Sequence, residues 1–162
     1  MPLIKTVLAN DLEDLFNRNP GSSPQAAVSW ARAYSAYAAN AISKAGSLPV
    51  NAQANQGILI GVFTGAFNSQ AAAAAAGIMA QGIMAYWQAA VWVGPVASGV
   101  TIVPGNLTLA VQLSMIFQDL GKKSPADKAR ELADAFDAGA KLVIVSDIPL
   151  IQPAPPIVGP IS

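Results

Sequence analysis

Nine carboxylates are the main raw material for chemistry in this 162-residue chain, and they lack the usual partners, since it contains no His and no Cys. Asp11, Glu13 and Asp14 stand close enough in sequence to act as paired carboxylates in general acid–base work, or to hold a metal ion. Either role wants a basic or imidazole partner, and none lies beside them. A helix that starts at Asn10 or Asp11 accounts for all three, because it puts them in the first turn, where the helix dipole favours negative charge. Asp127, Glu131 and Asp134 read as the solvated face of another helix. Gly121-Lys122-Lys123-Ser124 ends like a phosphate-binding loop but lacks the upstream glycine that such a loop needs. The absence of Cys removes thiolate metal sites, disulfides and cysteine nucleophiles. Trp30, Tyr34 and Tyr37, or Tyr86, Trp87 and Trp92, could stack on a ligand. At helical spacing on Ala-rich faces they read instead as core knobs, with Met79 and Met84 as gap fillers or interface residues. The expectation is a non-enzyme with no catalytic residue, no cofactor and no metal.

The elements that would position these side chains follow from start and stop signals. Leu8, Leu12, Leu15 and Phe16 give the first helix, through about Asn17, an apolar face, and Asn19-Pro20-Gly21 ends it. Ser22-Ser23-Pro24 restarts the chain: the Ser oxygen takes an orphan N–H, and Pro has none to orphan. This second helix is expected to run to about Lys44, with Ala27, Trp30, Ala31, Tyr34, Ala38 and Ala41 as one stripe. A third helix is expected over Ala52–Phe67 and a fourth from Ala71 to about Trp92, stopped by Gly94-Pro95. Val96 to Val103, rich in Val, Thr and Ile, reads as extended or strand. Asn106 or Thr108 opens a fifth helix to about Leu120, with Leu109, Leu113, Ile116 and Phe117 inward. Ser124-Pro125-Ala126-Asp127 is a second Ser-Pro start, here with a capping-box carboxylate, for a sixth helix to about Ala140. Arg130–Asp134 and Asp137–Lys141 are spaced to pair along it. Leu142 to Ser146 looks like a short strand.

Between Ala45 and Gln118 there is no Asp, Glu, Lys or Arg. So long an uncharged stretch has to be hidden from water by a bilayer, by other subunits or by its own flanks. Within it, Gly57, Gly61 and Gly65 fall one helical turn apart and form a face that lets two helices approach closely. A membrane-spanning helix needs about 20 predominantly apolar residues. Asn68, Ser69, Gln70, Gln81 and Gln88 interrupt the runs too early, so tight helix packing is the preferred reading and a membrane-inserting hairpin the alternative. The last stretch, Ile148 to Ser162, carries five prolines and reads as an extended arm. Ile148, Leu150, Ile151, Ile157, Val158 and Ile161 make it too apolar for a solvated tail. The expectation is that it lies along a neighbouring subunit.

The first and last helix pairs also match each other. Leu15-Phe16, a Gly-containing turn, Ser23-Pro24 and Trp30-Ala31-x-Ala33-Tyr34 parallel Ile116-Phe117, a Gly-containing turn, Ser124-Pro125 and Leu132-Ala133-x-Ala135-Phe136. The middle pair fits more loosely. The expected fold is therefore all-α: about six helices in three helix-pair units (about 6–50, 51–105 and 106–147), with short extended connectors. Residues 1–147 form the helical domain and residues 148–162 the C-terminal arm.

Charged residues make up 11% of the chain and net charge is zero, a combination that favours association over a solvated monomer. The amino terminus lacks the pattern of a signal peptide. Lys122-Lys123 is the one basic cluster, so direct nucleic-acid binding is not expected. The paired Leu15-Phe16, Ser23-Pro24 and Trp30-Ala31-x-Ala33-Tyr34 elements, the Ala/Gly-rich middle, and Ala133-x-Ala135-Phe136 before a Pro-rich end resemble small Ala/Pro-rich structural proteins of tailed-bacteriophage virions. The resemblance implies a virion component of the head, neck or tail whose partners are copies of itself and other virion proteins. It carries over no catalytic residue. The alternative from another class is a holin-like or membrane-perforating protein that uses the glycine-spaced helical hairpin.

Overall fold

The structure is a computed structural model and describes residues 3–18, 21–105, 108–150 and 154–162. It is a mixed fold, not an all-α one. The chain runs α1 (Lys5–Asn17), α2 (Ser23–Ala38), β1 (Leu48–Pro49), α3 (Gln56–Phe67), α4 (Ala72–Gln88), β2 (Val91–Val93), β3 (Ala97–Pro104), α5 (Leu109–Asp119), α6 (Pro125–Ala140), β4 (Val143–Pro149) and β5 (Ile157–Pro160). Two helices followed by one or two strands recur three times. The extended segments, the last residues of the expected fourth helix and part of the C-terminal arm supply the strands, and they come together as one antiparallel sheet in the order β1-β2-β3-β4-β5.

The all-α expectation fails for a physical reason. Val91-Trp92-Val93 is a β-branched and aromatic triplet that suits a pleated surface. Its pairing with Val100, Gly99 and Ser98 ends α4 at Gln88, short of the expected Trp92. Likewise α2 stops at Ala38, not Lys44. Asn40 turns back to bond the Ala36 carbonyl, and Ile42 exchanges two backbone hydrogen bonds of 3.0 Å with Ser162. Gly46, at φ +83°, makes the turn that leads into β1. The first helix is longer than expected. Leu8 and Leu12 extend its buried stripe, so it begins at Lys5, and Asp11, Glu13 and Asp14 lie in mid-helix instead of capping it.

The second Ser-Pro start behaves as its chemistry dictates. Ser124 Oγ accepts from the Asp127 N–H at 3.2 Å and donates to the Asp127 carboxylate at 2.7 Å. The helix so capped spans Pro125–Ala140. On it Asp137 pairs with Lys141 at 2.7 Å. Arg130 turns to Asp127 instead of Asp134, and Asp134 bonds Lys5 of α1 at 2.6 Å.

The core lies between the helices and one face of the sheet. Tyr34 sits at its centre, in ring contact with Tyr37, Tyr86, Trp87 and Phe136. Each buried polar tip finds a partner. Trp87 Nε1 donates to Tyr34 Oη, Tyr37 Oη to Asp137, and Tyr86 Oη to the Ala52 carbonyl. Burial drives the phenol pKa values of Tyr34, Tyr37 and Tyr86 upward, so they act as hydrogen-bonding groups and stay protonated. Trp87 of α4 stacks nearly parallel on Trp92 of β2, with centroids 6.1 Å apart, which locks the helical layer to the sheet.

Candidate assembly interface

Alternation along a strand sends neighbouring side chains to opposite faces, and here the two faces have different fates. Trp92, Ala97, Thr101, Val143 and Val145 point toward the helices and are buried. The residues between them point the other way, where no element of the described chain covers them. Register assembles the outward residues into two cross-strand rows. One is Leu48–Val93–Ser98–Ile148; the other is Val91–Val100–Ser146–Val158. The six apolar members of these rows are 43% to 59% exposed. A bulge between Thr101 and Val103 adds Ile102, itself half exposed. The five strands carry one charged residue, Asp147, and it points inward. The outer sheet face is thus broad, apolar and uncharged, the kind of surface that marks a contact site in a soluble chain.

The edges of the same sheet are guarded. β1 has two residues and β5 four, and each includes a proline, at Pro49 and Pro160. Short, proline-bearing edges resist the addition of another strand. The open surface is the face.

The expected interface residues divide. Ile148 and Val158 belong to the two outward rows. Ile157 pairs with Asp147 at the sheet edge, and Ile161 is buried in the core. Leu150 is exposed just beyond β4, where its N–H bonds the Val96 carbonyl. Ile151 lies outside the described residues. The arm is in part strand rather than free arm: Ile148 is part of β4, residues 157–160 form β5, and the end of the chain folds onto its own sheet. The reason is the pattern of the tail itself. Ile157-Val158-Gly159 is a strand-compatible run between prolines, and a partner strand is already in reach.

Gly57, Gly61 and Gly65 do share one face of α3, but that face is exposed. A side chain on Gly57 or Gly61 would meet open space. They are not the closest helix contact. Among the described glycines, it is Gly82 of α4 that sits tightly against another helix, since a Cβ there would overlap the Val62 side chain of α3. Sequence reasoning picked the regular glycine spacing and passed over the lone glycine that packing uses.

Elsewhere the charged side chains form surface ion pairs at several places. The groove between α1 and α2 is lined by Asp11, Asp14, Arg18 and Arg32, with Asp14 and Arg18 3.8 Å apart. Partial burial, and then the charge of Asp14, raise the Asp11 pKa. Among the described residues, no group of three or more acidic side chains could hold a metal ion. Both oxygens of Asp147 are buried without a hydrogen-bond partner. The carboxylate fits against the sheet because residue 99 is Gly: a Cβ there would lie 2.6 Å from Asp147 Oδ1. Among the described residues, no helix is long and apolar enough to cross a membrane. The 12 residues of α3 reach about 18 Å at 1.5 Å per residue, against about 30 Å of hydrocarbon. Comparison with family models, curated proteins and solved structures gives no match to this chain.

Proposed function

We propose that this chain is a non-enzymatic structural subunit of a multi-copy assembly, and that the assembly is a tailed-bacteriophage virion, in its head, neck or tail. The observation that carries the assembly reading is the uncharged outer sheet face around Val91, Val93, Val100 and Ile148. Left in water, it would expose more contiguous apolar surface than a free monomer ordinarily shows. Low overall charge supports the same reading. The virion reading rests on the sequence resemblance, and copies of the chain together with other virion proteins are the partners it implies.

The test has two arms. Light scattering on recombinant protein should show discrete species larger than one chain without detergent. Mass spectrometry of purified particles should find the chain in stoichiometric amounts. A monomer at every concentration would sink the assembly reading, and absence from particles would sink the virion reading. Recovery only in the membrane fraction, with leakage of dye-loaded liposomes, would favour the membrane-perforating alternative.

A further inference from the structure

We infer that the outer sheet face is occupied by the same face of a second copy, packed sheet on sheet about a two-fold axis. This rests on the assembly reading and names its first contact. Three features select a copy of the chain as the occupant. The first is area. The apolar residues of the two rows, with Ile102 and Val103, are 37% to 59% exposed, which amounts to an area on the order of several hundred Å² per copy, the scale of the roughly 800 Å² per partner of a standard-size interface. The second is charge. The face carries none, so two copies meet without like-charge repulsion, while a charged partner would leave its own charges desolvated and unpaired. The third is geometry. The edges are short and end in proline, which blocks growth of the sheet in its own plane. The outward rows instead suit aligned face-to-face packing at about 10 Å. A two-fold contact of this kind uses one patch twice and closes on itself. The building unit of the assembly is then a dimer with a two-sheet core, and the helices face outward from it.

Val100, at the centre of the second row, is the residue to change. Sedimentation of the full chain should give a dimer or a multiple of two, and Val100→Lys should weaken self-association on the order of 100-fold while keeping the circular dichroism of the folded chain. Met115→Lys, on exposed α5, is the control and should leave association unchanged. Because a lysine in a strand can impair folding, Val100→Cys gives a gentler readout in a chain with no other thiol. Its maleimide labelling should be slow in concentrated protein and fast after dilution, whereas Met115→Cys labels fast in both. Assembly that survives Val100→Lys, or Val100→Cys labelling that ignores concentration, overturns the sheet-face dimer and leaves the assembly reading standing. A wild-type chain that is monomeric throughout overturns both. Protection of Val100→Cys by liposomes alone would assign the face to lipid and also overturns the dimer.

Discussion

The two faces of the sheet are made by the same strands, often by adjacent residues, yet they solve different problems. Inward, Trp92 is fully buried, stacks on Trp87 and donates from Nε1 to Thr101 Oγ1 at 2.9 Å. Outward, its neighbours Val91 and Val93 are nearly half exposed. One face is completed by the chain's own helices, with Trp92 matched to Thr101 and Asp147 left without a hydrogen-bond partner. The other carries valine, leucine and isoleucine with Ser98 and Ser146 between them, and no charge. The inner face therefore holds the fold together, and the outer face is left exposed by it.

The contrast can be broken most sharply at adjacent residues. Trp92→Ala should cost about 3–5 kcal/mol in urea unfolding, through loss of the stack and the cavity left behind. Val91→Ala, one residue away, should change the stability of the unassembled chain by no more than about 0.5 kcal/mol. Similar losses at both positions would mean that the outer face is covered within one chain. Glycines give a second comparison. Gly82→Ala pushes a methyl into Val62 and should cost about 1–3 kcal/mol. Gly61→Ala faces open space in mid-helix and should gain about 0.5–1 kcal/mol in thermal melts of dilute protein. A loss at Gly61 would show that α3 packs against something through that face.

Asp147→Asn sharpens the comparison from inside. Replacing a buried carboxyl that has no hydrogen-bond partner, while keeping its shape, should raise stability by about 1 kcal/mol. A fall would reveal a partner that only a carboxylate can satisfy. The smallest effect belongs to Asp11. A carboxyl whose pKa is raised on folding holds its proton more tightly in the native state, so it lowers native stability once pH exceeds its ordinary value of 3.8. Asp11→Asn should thus gain under about 0.5 kcal/mol at pH 7 and nothing at pH 3. A gain independent of pH would point to packing instead.

Much of the helical layer was legible because its signals are local. Ser124-Pro125 fixed the start of α6, and Tyr34, Trp87 and Phe136 announced themselves as core by helical spacing. The sheet was not legible as a sheet. Several of its segments, Val96–Val103, Leu142–Ser146 and the arm from Ile148 among them, read as extended, but what joins them is a register in which Ala97 meets Pro149 across two intervening helices. No local pattern encodes that pairing. β2 was lost because three residues at the end of an Ala-rich helix cannot outweigh the helical period before them. The outward rows were invisible for a related reason: a strand apolar on both faces reads as simply buried, and only the fold shows that one side has no cover.

The position of the tryptophans has an optical consequence. The chain has three, Trp30, Trp87 and Trp92, and all lie on the helical side of the sheet, at most 8% exposed. Intrinsic fluorescence therefore watches the interior alone. Docking through the outer valines should leave the emission maximum where it is, whereas unfolding should move it to the red. Folding and association of this chain can be followed in one sample as two independent signals, emission for the first and scattered light for the second.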